Sequence, residues 1–217
     1  MFLSVYHTFY YSSLFICAVV SLSMIKGLSP AFRWLAVLVV LTLVVEVGAK
    51  YVAYCFDTSN SAVYHVFTPI EFLFYTLIYA LLVDDSKWIK VFWFCWFTLV
   101  VSEVINTLYV QPLGVSNTNI MMMESVMLVF FSLVLFLKIK ESMEYENLLI
   151  ESVFWFNSII LVYYASNILI WGFHSIKIYN LTDPPTLIYD VNLMLSGILY
   201  LVFSFAIFLN YKSSSNN

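Results

Sequence analysis

Seven apolar runs, each about as long as a bilayer is thick, constrain this chain more than any other feature. They fall near residues 3–25, 32–54, 62–83, 89–110, 118–138, 151–173 and 187–210. A hydrocarbon core of about 30 Å takes roughly 20 apolar residues to cross as a helix. A membrane barrel would show segments of about ten residues with strict alternation, whereas these runs are long and continuous. The expectation is an all-α polytopic membrane protein, a single domain over 1–217 with seven transmembrane helices. Composition agrees, because 63% of the residues are hydrophobic and 10% charged, against about half and roughly 25% in soluble domains. Such an excess cannot fit one small soluble core. With 9 Lys+Arg against 13 Asp+Glu, nothing favours nucleic acid, whose phosphates call for a cationic surplus. The expected solvent partner is the lipid bilayer.

The breaks between runs carry turn residues: Gly27-Leu28-Ser29-Pro30, Asp57-Thr58-Ser59-Asn60, Asp84-Asp85-Ser86, Gln111-Pro112-Leu113-Gly114 and Thr182-Asp183-Pro184-Pro185. Lys26, Arg33, Lys87, Lys90, Lys138, Lys140 and Lys212 fall on one side, Lys177 on the other, with Lys50 inside the second run near that second face. By the positive-inside rule the first face is cytoplasmic, so the N-terminus is expected outside and the C-terminus inside. The first run has its cation after it rather than before it, the reverse of a cleavable signal peptide, and is expected to remain a helix. Cys17, Cys55 and Cys95 support no disulfide and read as small packing residues. The loop near 138–150, with Glu141, Glu144 and Glu146, and the tail after Asn210 are short polar segments. A signalling role would therefore work through a separate partner protein.

Ionisable groups at membrane depth are costly and mark functional candidates. Glu46, Glu71, Glu103 and Glu124 each lie six to nine residues from the end of a run, which places them about 9–14 Å below the outer face as one layer. Lys50 follows Glu46 at i+4 and Asn106 follows Glu103 at i+3, spacings that share a helix face. Asn167, Asp190 and Asn192 join them in the outer half, His7, His65 and His174 lie nearer the surface, and Asn157 is the exception in the inner half. Pro69 cannot donate to the carbonyl of His65, so a kink is expected beside His65 and Glu71. Gly48 would let a neighbouring helix come close. The plainer readings are a structural Glu46–Lys50 pair, carboxylic acids and amides acting as interhelical glue, Tyr and Trp forming interfacial belts, and Met121–Met123 filling a helix start. The shared depth across four helices favours a polar cavity open to the outside.

The segments Tyr64–Tyr75 (YHVFTPIEFLFY), Ile105–Leu113 (INTLYVQPL), Asn119–Glu124 (NIMMME) and Phe154–Phe173 (FWFNSIILVYYASNILIWGF) together resemble a group of uncharacterised small seven-helix membrane proteins of Bacteroidota. The resemblance covers most of helices 3 to 6 and implies a bacterial inner-membrane location, with no activity to carry over. The group has a His followed by Asn in the last helix, where this chain has Asp190-Val191-Asn192. Other seven-helix classes fit poorly. The last run lacks a retinal lysine, and the histidine pairs of ceramidase-like and adiponectin-receptor-like hydrolases have no counterpart.

The leading expectation is a receptor- or sensor-like protein whose acidic outer pocket binds a small molecule or cation and signals through a membrane or cytoplasmic partner. An alternative is a proton- or cation-coupled transporter or channel using the intramembrane glutamates. A structural or assembly subunit of a membrane complex is a further alternative. A metal hydrolase using His65 and Glu71 ranks last, since no HExxH-like spacing is present, and neither a catalytic residue nor a cofactor or metal is assigned. The candidate ligand- or ion-binding residues are Glu46, Lys50, His65, Glu71, Glu103, Asn106, Glu124, Asn167, Asp190 and Asn192.

Overall fold

The computed structural model describes residues 5–57, 59–142, 148–178 and 186–215, with side chains placed over 5–57, 59–141, 148–172 and 189–214. His174, Lys177, the 182–185 turn, Glu144 and Glu146 lie outside these described side chains. The helices are α1 (Val5–Met24), α2 (Pro30–Phe56), α3 (Ser61–Val83), α4 (Ser86–Tyr109), α5 (Thr118–Ser142), α6 (Ser152–Ile178) and α7 (Thr186–Ser215). All seven are long and apolar enough to cross a membrane. A helix suits that solvent because it bonds its own backbone groups where no water can.

Local chemistry sets the boundaries. Pro30 opens α2 just after Ser29, where its missing N–H costs nothing and its fixed φ suits the first turn. Asp57 and Asp84 end α2 and α3 in the left-handed conformation, at φ 48° and 43°, which Asp tolerates better than most side chains. Asp85 then caps α4, its carboxylate accepting from the Lys87 N–H at 2.9 Å. The Asp84-Asp85 pair therefore stops one helix and starts the next. At the other terminus α7 runs on through Ser215, so the residues after Asn210 continue the helix rather than forming the expected tail.

Each helix packs on the next in sequence, and α7 returns to α1, closing a ring in which α3 also packs on α5. Phe15, Val44, Phe94, Phe97, Leu108, Leu137, Leu169 and Phe208 point outward and are exposed. In water such a surface would be an aggregation hazard; around seven spanning helices it is the lipid-facing surface, and the chain reads as an integral membrane protein. Small residues line the closest approach. Ser13, Cys17, Ala18 and Ser21 of α1 are buried, and a Cβ on Gly197 of α7 would collide with the Phe9 ring. A Cβ on Gly48 meets nothing within 4 Å. The close approach expected at Gly48 is found instead at Gly197 and at Gly27, which lies against Tyr211.

The middle of the bundle is aromatic. Phe92 and Phe131 have ring centroids 4.2 Å apart, Phe72 stacks on Phe131 at 5.5 Å, and Phe156 stacks on Phe203 at 5.7 Å. Tyr79, fully buried, touches Phe92, Phe131 and Phe156. Its hydroxyl bonds Ser132 and donates to Asn157 Oδ1 at 2.9 Å, while Asn157 Nδ2 donates to the Ser132 carbonyl at 3.0 Å. Asn157, expected as the polar exception among the outer-half groups, is therefore part of a buried clamp joining α3, α5 and α6. A second clamp sits at the cationic end, where Asn210 accepts from the Ser29 N–H at 3.0 Å and donates to Ser152 at 3.2 Å.

Candidate functional site

One end of the bundle, where α1 begins and α2 turns into α3, holds a cavity of about 280 Å³. Each contributing helix presents a stripe at three- and four-residue spacing, the signature of a single helical face. Tyr64, Thr68 and Glu71 come from α3, Thr42, Glu46 and Lys50 from α2, and His7, Tyr10 and Tyr11 from α1. Across from them stand Met121, Glu124 and Ser125 of α5, Tyr163, Tyr164, Asn167 and Trp171 of α6, and Tyr189, Asn192, Leu193, Ser196 and Tyr200 of α7. Glu46 and Glu71 are half-buried, and Glu124 and Asn167 are each 4% exposed.

Six of the sequence candidates therefore meet in one cavity: Glu46, Lys50, Glu71, Glu124, Asn167 and Asn192. Their partners differ from the expected ones. Glu46 does not pair with Lys50. Its two oxygens accept from Tyr11 at 3.1 Å and Tyr64 at 3.0 Å, and the Lys50 ammonium sits 3.7 Å above the centre of the Tyr11 ring. Tyr11 is thus interposed, bonded to the carboxylate through its hydroxyl and to the cation through its face. The i, i+4 rule placed the two charges on one face but could not foresee a competing side chain from α1.

His65, Glu103 and Asn106 form a separate network. One position on from Tyr64 rotates His65 by about 100°, away from the cavity and onto α4. Its Nε2 lies 3.0 Å from the Val115 carbonyl and its Nδ1 2.7 Å from Glu103 Oε1. A carbonyl only accepts, so Nε2 is the donor there, and Nδ1 faces both Glu103 Oε1 and the Thr107 hydroxyl, 3.0 Å away. Thr107 donates to Glu103 Oε1 at 2.8 Å and Asn117 to Oε2 at 2.6 Å. Asn106 donates to Asn117 and Gln111 and accepts from Asn119. This network pins the α4–α5 loop onto α3 and α4, and the glutamates of the expected layer thus divide three to one.

Asp190 is half-buried and lies off the α7 stripe that faces the cavity. Pro69 sits inside a continuous α3. The Pro69 carbonyl accepts from the Trp96 indole at 3.2 Å, and the Thr68 hydroxyl bonds back to the Tyr64 carbonyl at 2.9 Å. Among the described residues, no three His, Cys, Asp or Glu side chains come together as a metal-ligand set.

Sequence reasoning missed the tyrosines. Seven line the cavity, namely Tyr10, Tyr11, Tyr64, Tyr163, Tyr164, Tyr189 and Tyr200, and Tyr75 and Tyr79 are buried below it. The belt reading fails for the buried ones, Tyr10, Tyr75, Tyr79, Tyr164 and Tyr200, and depth was the available signal. Tyr75, Tyr163, Tyr164 and Tyr200 all fall near the middle of their runs, where an interfacial tyrosine has no place. The amide-rich stretch from Asn106 to Asn119 was the corresponding sign of the loop network. No protein-family model, curated protein or solved structure matches this chain, so the site is interpreted from its own geometry.

Proposed function

We propose that this protein is a receptor- or sensor-like membrane protein that binds a small molecule or cation in the acidic pocket at one end of its bundle. The observation that carries this reading is the combination of an open polar cavity and a closed aromatic layer beneath it. Three carboxyl groups from three helices face the cavity. Tyr79, eight residues past Glu71, lies about 12 Å further along α3 among the fully buried rings of Phe92, Phe131 and Phe156. A site that admits solute from one end and closes at the other suits binding better than passage. Six helices share the pocket wall, so a ligand that draws them together would alter their packing at the far end, where a partner protein could read it.

The cation distribution supports placing the Lys26, Arg33, Lys87 and Lys138 end in the cytoplasm and the pocket outside. Resemblance to the Bacteroidota proteins supports a bacterial inner membrane. Cys55, exposed near the pocket end of α2, offers a direct check, because a membrane-impermeant maleimide should label it in intact cells and Cys55→Ser should abolish that label.

The functional test is a solute screen on purified protein in nanodiscs, read by thermal unfolding. Saturable stabilisation by at least one small solute, weakened by Glu71→Gln, is expected; a screen across cationic, neutral and anionic solutes with no saturable response would defeat the reading. One observation favours a second reading, a proton- or cation-coupled transporter. The Tyr79–Ser132–Asn157 cluster, with the buried Thr76 hydroxyl lacking a partner among the described residues, forms a polar step beyond Glu71 toward the opposite end. Flux into proteoliposomes above background, abolished by Glu71→Gln, would establish transport instead.

A further inference from the structure

Three buried oxygens of residues that line the pocket have no hydrogen-bond partner among the described residues: Glu124 Oε1, Asn167 Oδ1 and Asn192 Oδ1. They come from three successive helices, α5, α6 and α7, of which α6 packs on both of the others. Glu124 and Asn167 are each 96% buried, being 4% exposed. Buried acceptors ordinarily have donors, so this part of the wall is built to receive donors from something other than the chain. Glu46 is different, since both of its oxygens already accept from tyrosines.

The chemistry of the missing donor follows from the acceptors. A primary ammonium carries three N–H donors and no acceptor, and a carboxyl oxygen with two amide oxygens is its complement. The lining points the same way, since the cavity sets three carboxyl groups, all able to accept hydrogen bonds, against one ammonium, Lys50. That ammonium already rests on the face of Tyr11, so the pocket's tyrosines accept a cation in the folded protein. An inorganic cation fits less well. Hard divalent ions gather six to eight oxygens, and the described acidic side chains do not cluster as a metal set. The volume of about 280 Å³ is also far more than one ion needs, given that a water occupies about 30 Å³.

We propose that the ligand of this pocket is a small primary amine, its ammonium donating to Glu124, Asn167 and Asn192 and its hydrocarbon body lying along tyrosine rings and Leu193. This rests on the reading of the pocket as a ligand site. The experiment titrates the full chain in nanodiscs with n-butylamine, tetramethylammonium, 1-butanol and butyrate at constant ionic strength, followed by calorimetry. Saturable binding of n-butylamine is expected, with tetramethylammonium, which has no N–H, at least about tenfold weaker, and Glu124→Gln reducing amine affinity by about tenfold or more. Asn192→Leu, at the half-buried member of the set, should weaken the amine severalfold, and it carries the test if Glu124→Gln does not fold. Tetramethylammonium or 1-butanol binding as tightly as n-butylamine, or an amine affinity untouched by both variants, overturns the amine assignment while leaving a ligand pocket in place. Absence of saturable binding by all four probes overturns the amine, and only failure of the wider solute screen removes the pocket reading with it.

Discussion

Nδ1 of His65 lies 2.7 Å from Oε1 of Glu103, both side chains buried and both bonded on their remaining polar atoms. Removing one partner of a buried pair leaves the other uncompensated, at about 3–5 kcal/mol. Glu103→Ala, which strips the acceptor from His65, Thr107 and Asn117 at once, should therefore lower thermal stability sharply in detergent. The pocket lies elsewhere, so variants that fold should keep any ligand affinity. An unchanged melting temperature in Glu103→Ala would contradict the network.

The Lys50–Tyr11–Glu46 relay makes a prediction about coupling. Lys50 is exposed and rests on a ring rather than on a carboxylate, so Lys50→Met in the native background should cost only about 0.5–1 kcal/mol. In a Tyr11→Phe/Tyr64→Phe background, Glu46 loses both donors and the ammonium one turn along α2 is left free to pair with it. The same substitution should then cost measurably more, which a thermodynamic cycle on unfolding detects.

Asn157 makes three hydrogen bonds to Tyr79 and Ser132 with no exposed surface. Asn157→Leu should destabilise the bundle by about 1–3 kcal/mol through the donors and acceptor it leaves unpaired. The Ser132→Ala cost should be partly contained within it, because the two residues act as one unit. Additive costs in the double variant would show that they do not.

Two glycines of similar appearance should behave oppositely. A Cβ at Gly197 drives into the Phe9 ring at the α1–α7 contact, whereas Gly48 faces open space. Gly197→Ala should cost about 1–3 kcal/mol by overpacking. Gly48→Ala should be neutral or stabilising by up to about 1 kcal/mol, since alanine is the better helix former. Chemical or thermal unfolding of the two variants separates them.

Asp85, half-buried in the turn before α4, has its carboxyl held below the usual carboxylate range, first by the Lys87 N–H it accepts from and then by Lys138, 3.2 Å away. A carboxyl lowered by folding contributes stability that is complete above its unfolded value of about 3.9. That contribution is lost as pH falls through the lower folded value. Asp85→Asn keeps a capping side chain and removes the titration. Its melting temperature should depend less on pH below about 4 than that of the native protein.

Fold class was legible in the sequence because the solvent writes itself into every span. Seven apolar runs of bilayer length lead to seven helices, and the Asp84-Asp85 and Ser29-Pro30 signals mark boundaries the structure keeps. The glutamates were legible as candidates for the same reason, since a carboxyl in an apolar run stands out. Partnership was not legible. Tyr64 and His65 are adjacent in sequence, yet one bonds Glu46 and the other Glu103, because a single residue step turns a helical side chain onto a different neighbour.

Which face meets which helix depends on how seven cylinders pack, and that is decided by contacts between residues far apart in the chain. Tyr11 reaches Glu46 across 35 positions and Tyr79 reaches Asn157 across 78. The sequence alone determined seven segments long and apolar enough to cross a membrane, and it made the few ionisable groups within them stand out. Only the tertiary structure decided that three of the four glutamates share one tyrosine-lined pocket, that the fourth fastens a loop, and that three buried acceptors of the pocket residues have no partner among the described residues. Hydropathy is a property of each segment by itself, whereas a binding site is a property of the distances between segments.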